Sequence, residues 1–310
     1  MSVRSASSSA AVQVAVIAIL ITVGTLSLSD ALAKLLSANF PLWQIFALRS
    51  MLTVPMILLI LAAWYRSVSW WPRSLLWVSL RSVLMVAQAV VYYIALPKVE
   101  LSAVAATNYT MPLFVCIFAA VLLGDRISPA VWAAVGLGFF GVLLIVQPAT
   151  DSFNSFALLP LATAMLAALA NLLTKAKCQG EHPLVISLNL NMALLATGLA
   201  ATLVGLLWEQ ESETSQMAAY LLGGWSPMGQ SEWVVIVIMA VSFVVGSVGA
   251  ALAYQVGPPT TVATLDFAYI AFALVWGMLF FGEFPNAAAF LGIFSIIAAG
   301  LFVVRSRRFR

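Results

Sequence analysis

The chain is written as a succession of long apolar stretches separated by short polar breaks, and that alternation leaves few folds open to it. Val12 to Leu36 sets the pattern, with Asp30 and Lys34 as its only charged residues. An α-helix rises about 1.5 Å per residue, so roughly 20 apolar residues cross a hydrocarbon layer about 30 Å thick. The same reading applies to Leu42–Trp64, Ser74–Leu96, Leu101–Leu123, Ala130–Val146, Phe156–Lys175, Leu184–Trp208, Trp233–Tyr254, Pro259–Phe281 and Ala287–Val304. Only 8% of the 310 residues are charged, against about 25% in soluble domains. With 63% of the residues hydrophobic, lipid must solvate much of the surface. The fold class expected is an all-α polytopic membrane protein with ten transmembrane helices.

A net charge of +3 does not point to nucleic acid, because the basic residues sit at helix ends and in a tail of Arg305, Arg307, Arg308 and Arg310. Cys116, Cys178 and the single His182 offer neither a disulfide framework nor metal-ligand spacing, so no cofactor or metal is expected. Arg4, an apolar run and Ala31-Leu32-Ala33 imitate a signal peptide. The run is too long, however, and Asp30 stands just before the apparent cleavage site. Gly136-x-Gly138-x-x-Gly141 spells a dinucleotide fingerprint. It lacks the preceding strand that such a site needs, and close helix approach is the better reading.

The chain is internally duplicated. Shifting it by 158 residues places Gly124-Asp125 on Gly282-Glu283, Ser102 on Thr260 and Asn108-Tyr109 on Asp266-Phe267. Asp30-x-x-x-Lys34 recurs as Asn171-x-x-x-Lys175, and Arg49 answers to Asn191. The expected organisation is a stub at 1–11, five-helix repeats at 12–150 and 151–304, and a basic tail at 305–310. Basic loops all fall on one side if ten helices alternate, which puts both termini in the cytoplasm. Five is odd, so the halves lie inverted, the usual geometry of alternating access.

Ionisable groups within the bilayer cost about 2.5–3.5 kcal/mol each on insertion scales and default to function. In the outer layer these are Asp30 and Arg49, which can pair, with Asn108 nearby. The inner layer holds Arg81, Asp266, Asn171 and Asn191, with Arg81–Asp266 as a second candidate pair. Arg81, Met85, Gln88 and Tyr92 share one helical stripe. Tyr269 and Trp276 lie deep enough to wall a pocket, where cation–π contact suits a cationic solute. Asn189, Tyr93 and Met111 read as packing. Lys34 and Lys175 read as anchors that snorkel to the interface. The other tryptophans, Trp43 among them, read as belt residues.

SDALAKLL, WQIFALRS, RSVLMVAQAVVYYIAL, MPLFVCIFAAVLLGDRI and GFFGVLLIVQP, with the second-half echo LFFGEF, resemble the drug/metabolite transporter superfamily of EamA type. The likeness spans about Val12 to Val303, and its nearest branch looks like S-adenosylmethionine uptake carriers. It implies a ten-helix bundle with a central cavity lined by the third, fourth, eighth and ninth helices, among others. Here the eighth is almost all small and apolar, so Arg81, Gln88, Tyr92, Asn108, Asp266 and Tyr269 carry the polarity.

The reading is a secondary transporter of a small polar organic solute in the inner membrane. Its partners are that solute and the lipid bilayer. A membrane-embedded enzyme would need a catalytic cluster such as HExxH or GxSxG, and neither is present. A receptor would bind without moving anything. The topology is directly testable: cysteines introduced at Ser215 and Ser306 should label from opposite sides of the membrane, and same-side labelling contradicts the five-plus-five arrangement.

Overall fold

A computed structural model describes residues 3–123, 129–147, 154–178, 180–207, 216–256 and 265–306. Every regular element among them is helical: α1 (Val3–Leu36), α2 (Leu42–Trp64), α3 (Leu75–Ala95), α4 (Leu101–Asn108), α5 (Met111–Leu123) and α6 (Pro129–Val146). A 3₁₀ turn (Ser155–Leu158) leads to α7 (Leu159–Lys177) and α8 (Pro183–Leu207). Then come α9 (Gln216–Leu222), α10 (Gln230–Val256), α11 (Ala268–Phe281) and α12 (Ala287–Ser306). Six helices are long and apolar enough to cross a membrane, and three shorter ones are strongly apolar. This is a multi-pass integral membrane protein.

Three elements differ from the sequence expectation. The Ser/Ala-rich start continues α1 as helix from Val3 rather than forming a separate stub. The Leu101–Leu123 run is cut at Tyr109-Thr110. Pro112 accounts for the break, since it has no N–H to give the Asn108 carbonyl four residues back. The Thr110 hydroxyl instead donates to Thr107 O at 2.7 Å. The loop after α8 contains the short helix α9, which no sequence signal marked. Of the expected ninth span, residues 257–264 lie outside the described set, and a turn at Phe267 precedes α11.

Helix pairing is reciprocal. α1 packs on α10 and α11, α7 on α3, α4 and α5, and α2 on α8. α3 also meets α8 and α10 also meets α2, while α6 packs on α12. Small residues make the closest contacts. A Cβ at Gly141 would sit 2.6 Å from Gly292 O, and one at Gly292 would sit 2.5 Å from Gly141 O. Two of the three fingerprint-like glycines, Gly138 and Gly141, are therefore helix-packing residues, Gly138 resting against Leu113 and Ala299. On α10, Gly249 meets Thr22 and Ala18 of α1, and Gly246 meets Leu26.

These distances separate two glycines one turn and a half apart. Gly141→Ala should destabilise the protein by about 1–3 kcal/mol, the usual cost of overpacking. A Cβ at Gly136 meets nothing within 4 Å, so Gly136→Ala should be neutral or slightly stabilising. Thermal melting in detergent checks both, and equal melting points would contradict the close seam.

Candidate functional site

A cavity of about 320 Å³ lies between α1, α2, α3, α8, α10 and the broken segments at Asn108 and Asp266. Its centre of gravity is one carboxylate. Asp30 Oδ1 accepts a hydrogen bond from the Tyr93 hydroxyl at 3.1 Å, and Oδ2 accepts from Tyr92 at 3.1 Å and also from Tyr269. The Tyr92 and Tyr269 hydroxyls are themselves 3.4 Å apart. Phenol donors answer the acceptor sites of this half-buried carboxylate, and in doing so they tie α1 to α3 and α11.

Arg49 does not pair directly with Asp30. Its Nη1 donates to the Tyr93 hydroxyl at 2.9 Å, which in turn donates to Asp30. The guanidinium is 4% exposed and sits among the Phe46, Tyr93 and Phe243 rings at 5.7, 5.8 and 5.4 Å. Such rings attract the cation through their quadrupoles. Arg49 Nε has no hydrogen-bond partner among the described residues. Tyr93, expected only to pack, is thus the bridge between the two charges. Adjacent residues on a helix point about 100° apart, so the Tyr92-Tyr93 pair gave no sign that both would reach Asp30.

Gln88, Asn108, Asp266 and Tyr269 also line the cavity, together with Met85 and Met111. Met111 had read as packing. The Asn108 Oδ1 accepts from Thr163 Oγ1 of α7 at 2.7 Å. Asp266 faces the cavity with no hydrogen-bond or ion-pair partner among the described residues. Tyr109 lies between Phe267 and Tyr269, with ring centroids 5.5 and 5.4 Å away, and completes an aromatic wall.

Four expected site residues lie off the cavity lining. Arg81 does not meet Asp266; its Nε and Nη1 are buried without partners among the described residues. It lies about two turns from Gln88 on α3 and is not among the residues that line the cavity. Trp276 donates to Ser27 Oγ at 3.1 Å and stacks on Phe280. Asn171 is exposed with its amide 2.9 Å from Met111 Sδ, and Asn191 is buried with its amide on Ser187 O at 2.9 Å. Asn189, another expected packing residue, accepts from Ser82 Oγ at 2.7 Å.

Lys34 is not an interfacial anchor. Its ammonium pairs with Glu283 and donates to Val99 O at 2.6 Å, and it lies 5.0 Å from the Phe281 ring centroid. Glu283 Oε2 accepts from Leu101 N, the first residue of α4, at 2.8 Å. Burial raises the Glu100 carboxyl above its ordinary range; the nearby Glu283 carboxylate adds to the rise and Lys34 opposes it. Trp43 likewise turns inward, donating its indole N–H to Leu221 O of α9 at 2.6 Å.

Residues 13–147 match the EamA-like transporter family. The chain is 29% identical to a riboflavin transporter of Rhizobium johnstonii, over 74% of this chain and 70% of that one. It is 26% identical to the pseudopaline exporter CntI of Pseudomonas aeruginosa, over 92% and 93%. An S-adenosylmethionine uptake transporter of Rickettsia prowazekii is 22% identical, over 65% and 62%. A solved crystal structure, 19% identical, superposes with a TM-score of 0.61 over 97% of this chain and 99% of its own, a likeness of fold alone. The family and these relatives are named as transporters or exporters.

The bridged charges make a quantitative prediction. Asp30→Asn and Tyr93→Phe should each lower stability, and because the residues touch, the double mutant should lose less than the sum by about 0.5–3 kcal/mol. Melting curves of the two singles and the double test this; strict additivity would mean that the hydrogen bond carries no energy.

Proposed function

We propose that this EamA-like protein of the drug/metabolite transporter superfamily is a secondary transporter. It moves a small polar organic solute, amino-acid-like, zwitterionic or resembling S-adenosylmethionine, across the inner membrane by alternating access. The observation that carries the reading is a cavity that both halves line, holding Arg49 of the membrane-length helix α2 and, at the interruption before the apolar α11, Asp266, which has no hydrogen-bond or ion-pair partner among the described residues. Ionisable groups at such depth are costly unless a solute or ion uses them.

Two features support inverted five-helix halves. Exchanging α1, α2, α3, α4/α5 and α6 with α7, α8, α10, α11 and α12 turns the principal helix pairings into one another. The repeat also sets Asn108-Tyr109 on Asp266-Phe267, and each of these pairs stands at a helix interruption. Discontinuous helices near mid-membrane are where transporters of inverted-repeat design hold their solutes. Six long helices, three shorter ones and the α4–α5 pair together make ten spans, and the basic loops favour cytoplasmic termini.

The relatives are named for riboflavin, pseudopaline and S-adenosylmethionine, which favours a small organic cargo. Since one of them is named an exporter, export of amino acids or of toxic or aromatic compounds on the same fold is the alternative. Guanidinium binds carboxylate through a fork of donors, so Arg49 suits an acidic group of the solute and Asp266 a basic one.

Flux into proteoliposomes is the test, with riboflavin and S-adenosylmethionine as first solutes and efflux measured alongside uptake. Asp266→Asn should cut transport at least about tenfold, equivalent to roughly 1.4 kcal/mol, while eluting as a monodisperse peak. Arg81→Gln, off the cavity, should keep most of it. Wild-type flux in Asp266→Asn would remove this cavity from the path, and binding without flux would favour a receptor.

A further inference from the structure

A second cavity, of about 450 Å³, opens at the Lys34 end of the bundle. Lys34, Phe40, Lys98, Tyr220 and Phe281 line it. The two cavities are neighbours along α1, because Asp30 lines the first and Lys34, one helical turn on, lines the second. Two contacts lie at their junction. Tyr220 of α9, which lines the second cavity, is 5% exposed and donates its hydroxyl at 3.2 Å to the carbonyl of Tyr93, a wall of the inner cavity. Lys34, also lining the second cavity, pairs with Glu283 and donates to the Val99 carbonyl, and Glu283 is held on the first amide of α4.

α9 has seven residues and crosses nothing, yet α9 and the segment that follows it to Ser226 are pinned at three points. Trp43 bonds Leu221 O, the Gln44 side chain donates to Ser226 O at 2.8 Å and accepts from Ser226 N at 3.0 Å, and Tyr220 reaches Tyr93. The ion pair has its own logic. Desolvating two charges costs about as much as their attraction returns, so a buried pair stabilises a fold weakly. Once parted, both groups regain water. Such a contact suits a position that must be closed in one state and open in another.

We propose that the two cavities are successive chambers of one solute path, and that Lys34–Glu283 together with Tyr220 forms the gate between them. The 450 Å³ chamber is the outer vestibule, a second station for the same small polar solute. The inference rests on the transport reading for what passes through, but its geometry is tested without a known solute.

The experiment uses the full chain with Cys116 and Cys178 replaced by Ala and one reporter cysteine at a time. Ala38→Cys reports the vestibule and Gln88→Cys the inner cavity. A membrane-impermeant sulfonated maleimide is applied to intact cells or to inverted vesicles, whichever side labels Ala38→Cys. From that side Gln88→Cys should label slowly. Lys34→Gln, Glu283→Gln or Tyr220→Ala should speed it about tenfold or more, as expected when about 1.4 kcal/mol of closure is removed. The reversed pair, Lys34→Glu with Glu283→Lys, should restore slow labelling, a rescue that general loosening would not give. Should a single charge variant fail to fold, Tyr220→Ala and the reversed pair carry the same comparison.

Two results overturn the proposal: Gln88→Cys labelling as fast as Ala38→Cys in the otherwise unaltered chain, or a rate that none of the gate variants changes. Flux assays separate this from the broader reading. Slow, gate-dependent labelling without flux of any solute sinks transport and leaves the two-chamber geometry, whereas flux with gate-independent labelling does the reverse.

Discussion

A carboxylate in the middle of an apolar bundle must be given donors or the bundle will not close around it. Asp30 is that group, and the helices near it are arranged by its needs. Three tyrosine hydroxyls from α3 and α11 converge on its two oxygens. Through Tyr93 the network reaches Arg49 of α2, so four elements meet at one charge. An unmet buried acceptor costs about 1–3 kcal/mol, more when charged, which gives the position of each of these helices an energetic reason. The cavity beside Asp30 then has a division of roles. Asp30 is saturated by protein donors, while Asp266 is left to the space itself.

Elsewhere the bundle is held by closeness rather than by polarity. Lipid tails are as apolar as leucine side chains, so helices in a membrane associate through shape and backbone proximity. The α1–α10 contact shows this in Thr22, which lies over Gly249 and directs its hydroxyl towards Gly246 O at 3.4 Å. Both kinds of contact occur along α1: its Ala18–Leu26 stretch packs on glycines of α10, while Asp30 and Lys34 make polar ties to Tyr269 and Glu283.

Much of the fold was legible because its signals are local. Apolar length gave the helices nearly residue for residue, as in α2 and α8. Polar residues at depth pointed to Asp30, Arg49, Asn108 and Asp266, which line one cavity, but equally to Arg81, Asn171 and Asn191, which do not. What the sequence hid was set by tertiary partners. Lys34 at a helix end has the chemistry of an interfacial anchor, and only the arrival of Glu283, 249 positions away, turns it inward. Tyr93 looks like any aromatic beside Tyr92 until Asp30 and Arg49 are found on either side of it. The Arg81–Asp266 pairing rested on matched depth alone, and depth along a helix says nothing about which face looks where. α9 was missed for a different reason: its apolar residues are too few to show a period. The break at Tyr109, by contrast, was written in Pro112 and could have been read.

The contact of Gly141 with Gly292 has a geometric property beyond tightness. Each glycine's missing side chain makes room for the other's carbonyl oxygen, so the two residues exchange the same favour. Any sliding of α6 along α12 would have to carry backbone past a carbonyl oxygen at both positions at once. The α6–α12 seam therefore resists shear from either side, and the two helices shift as one rigid body.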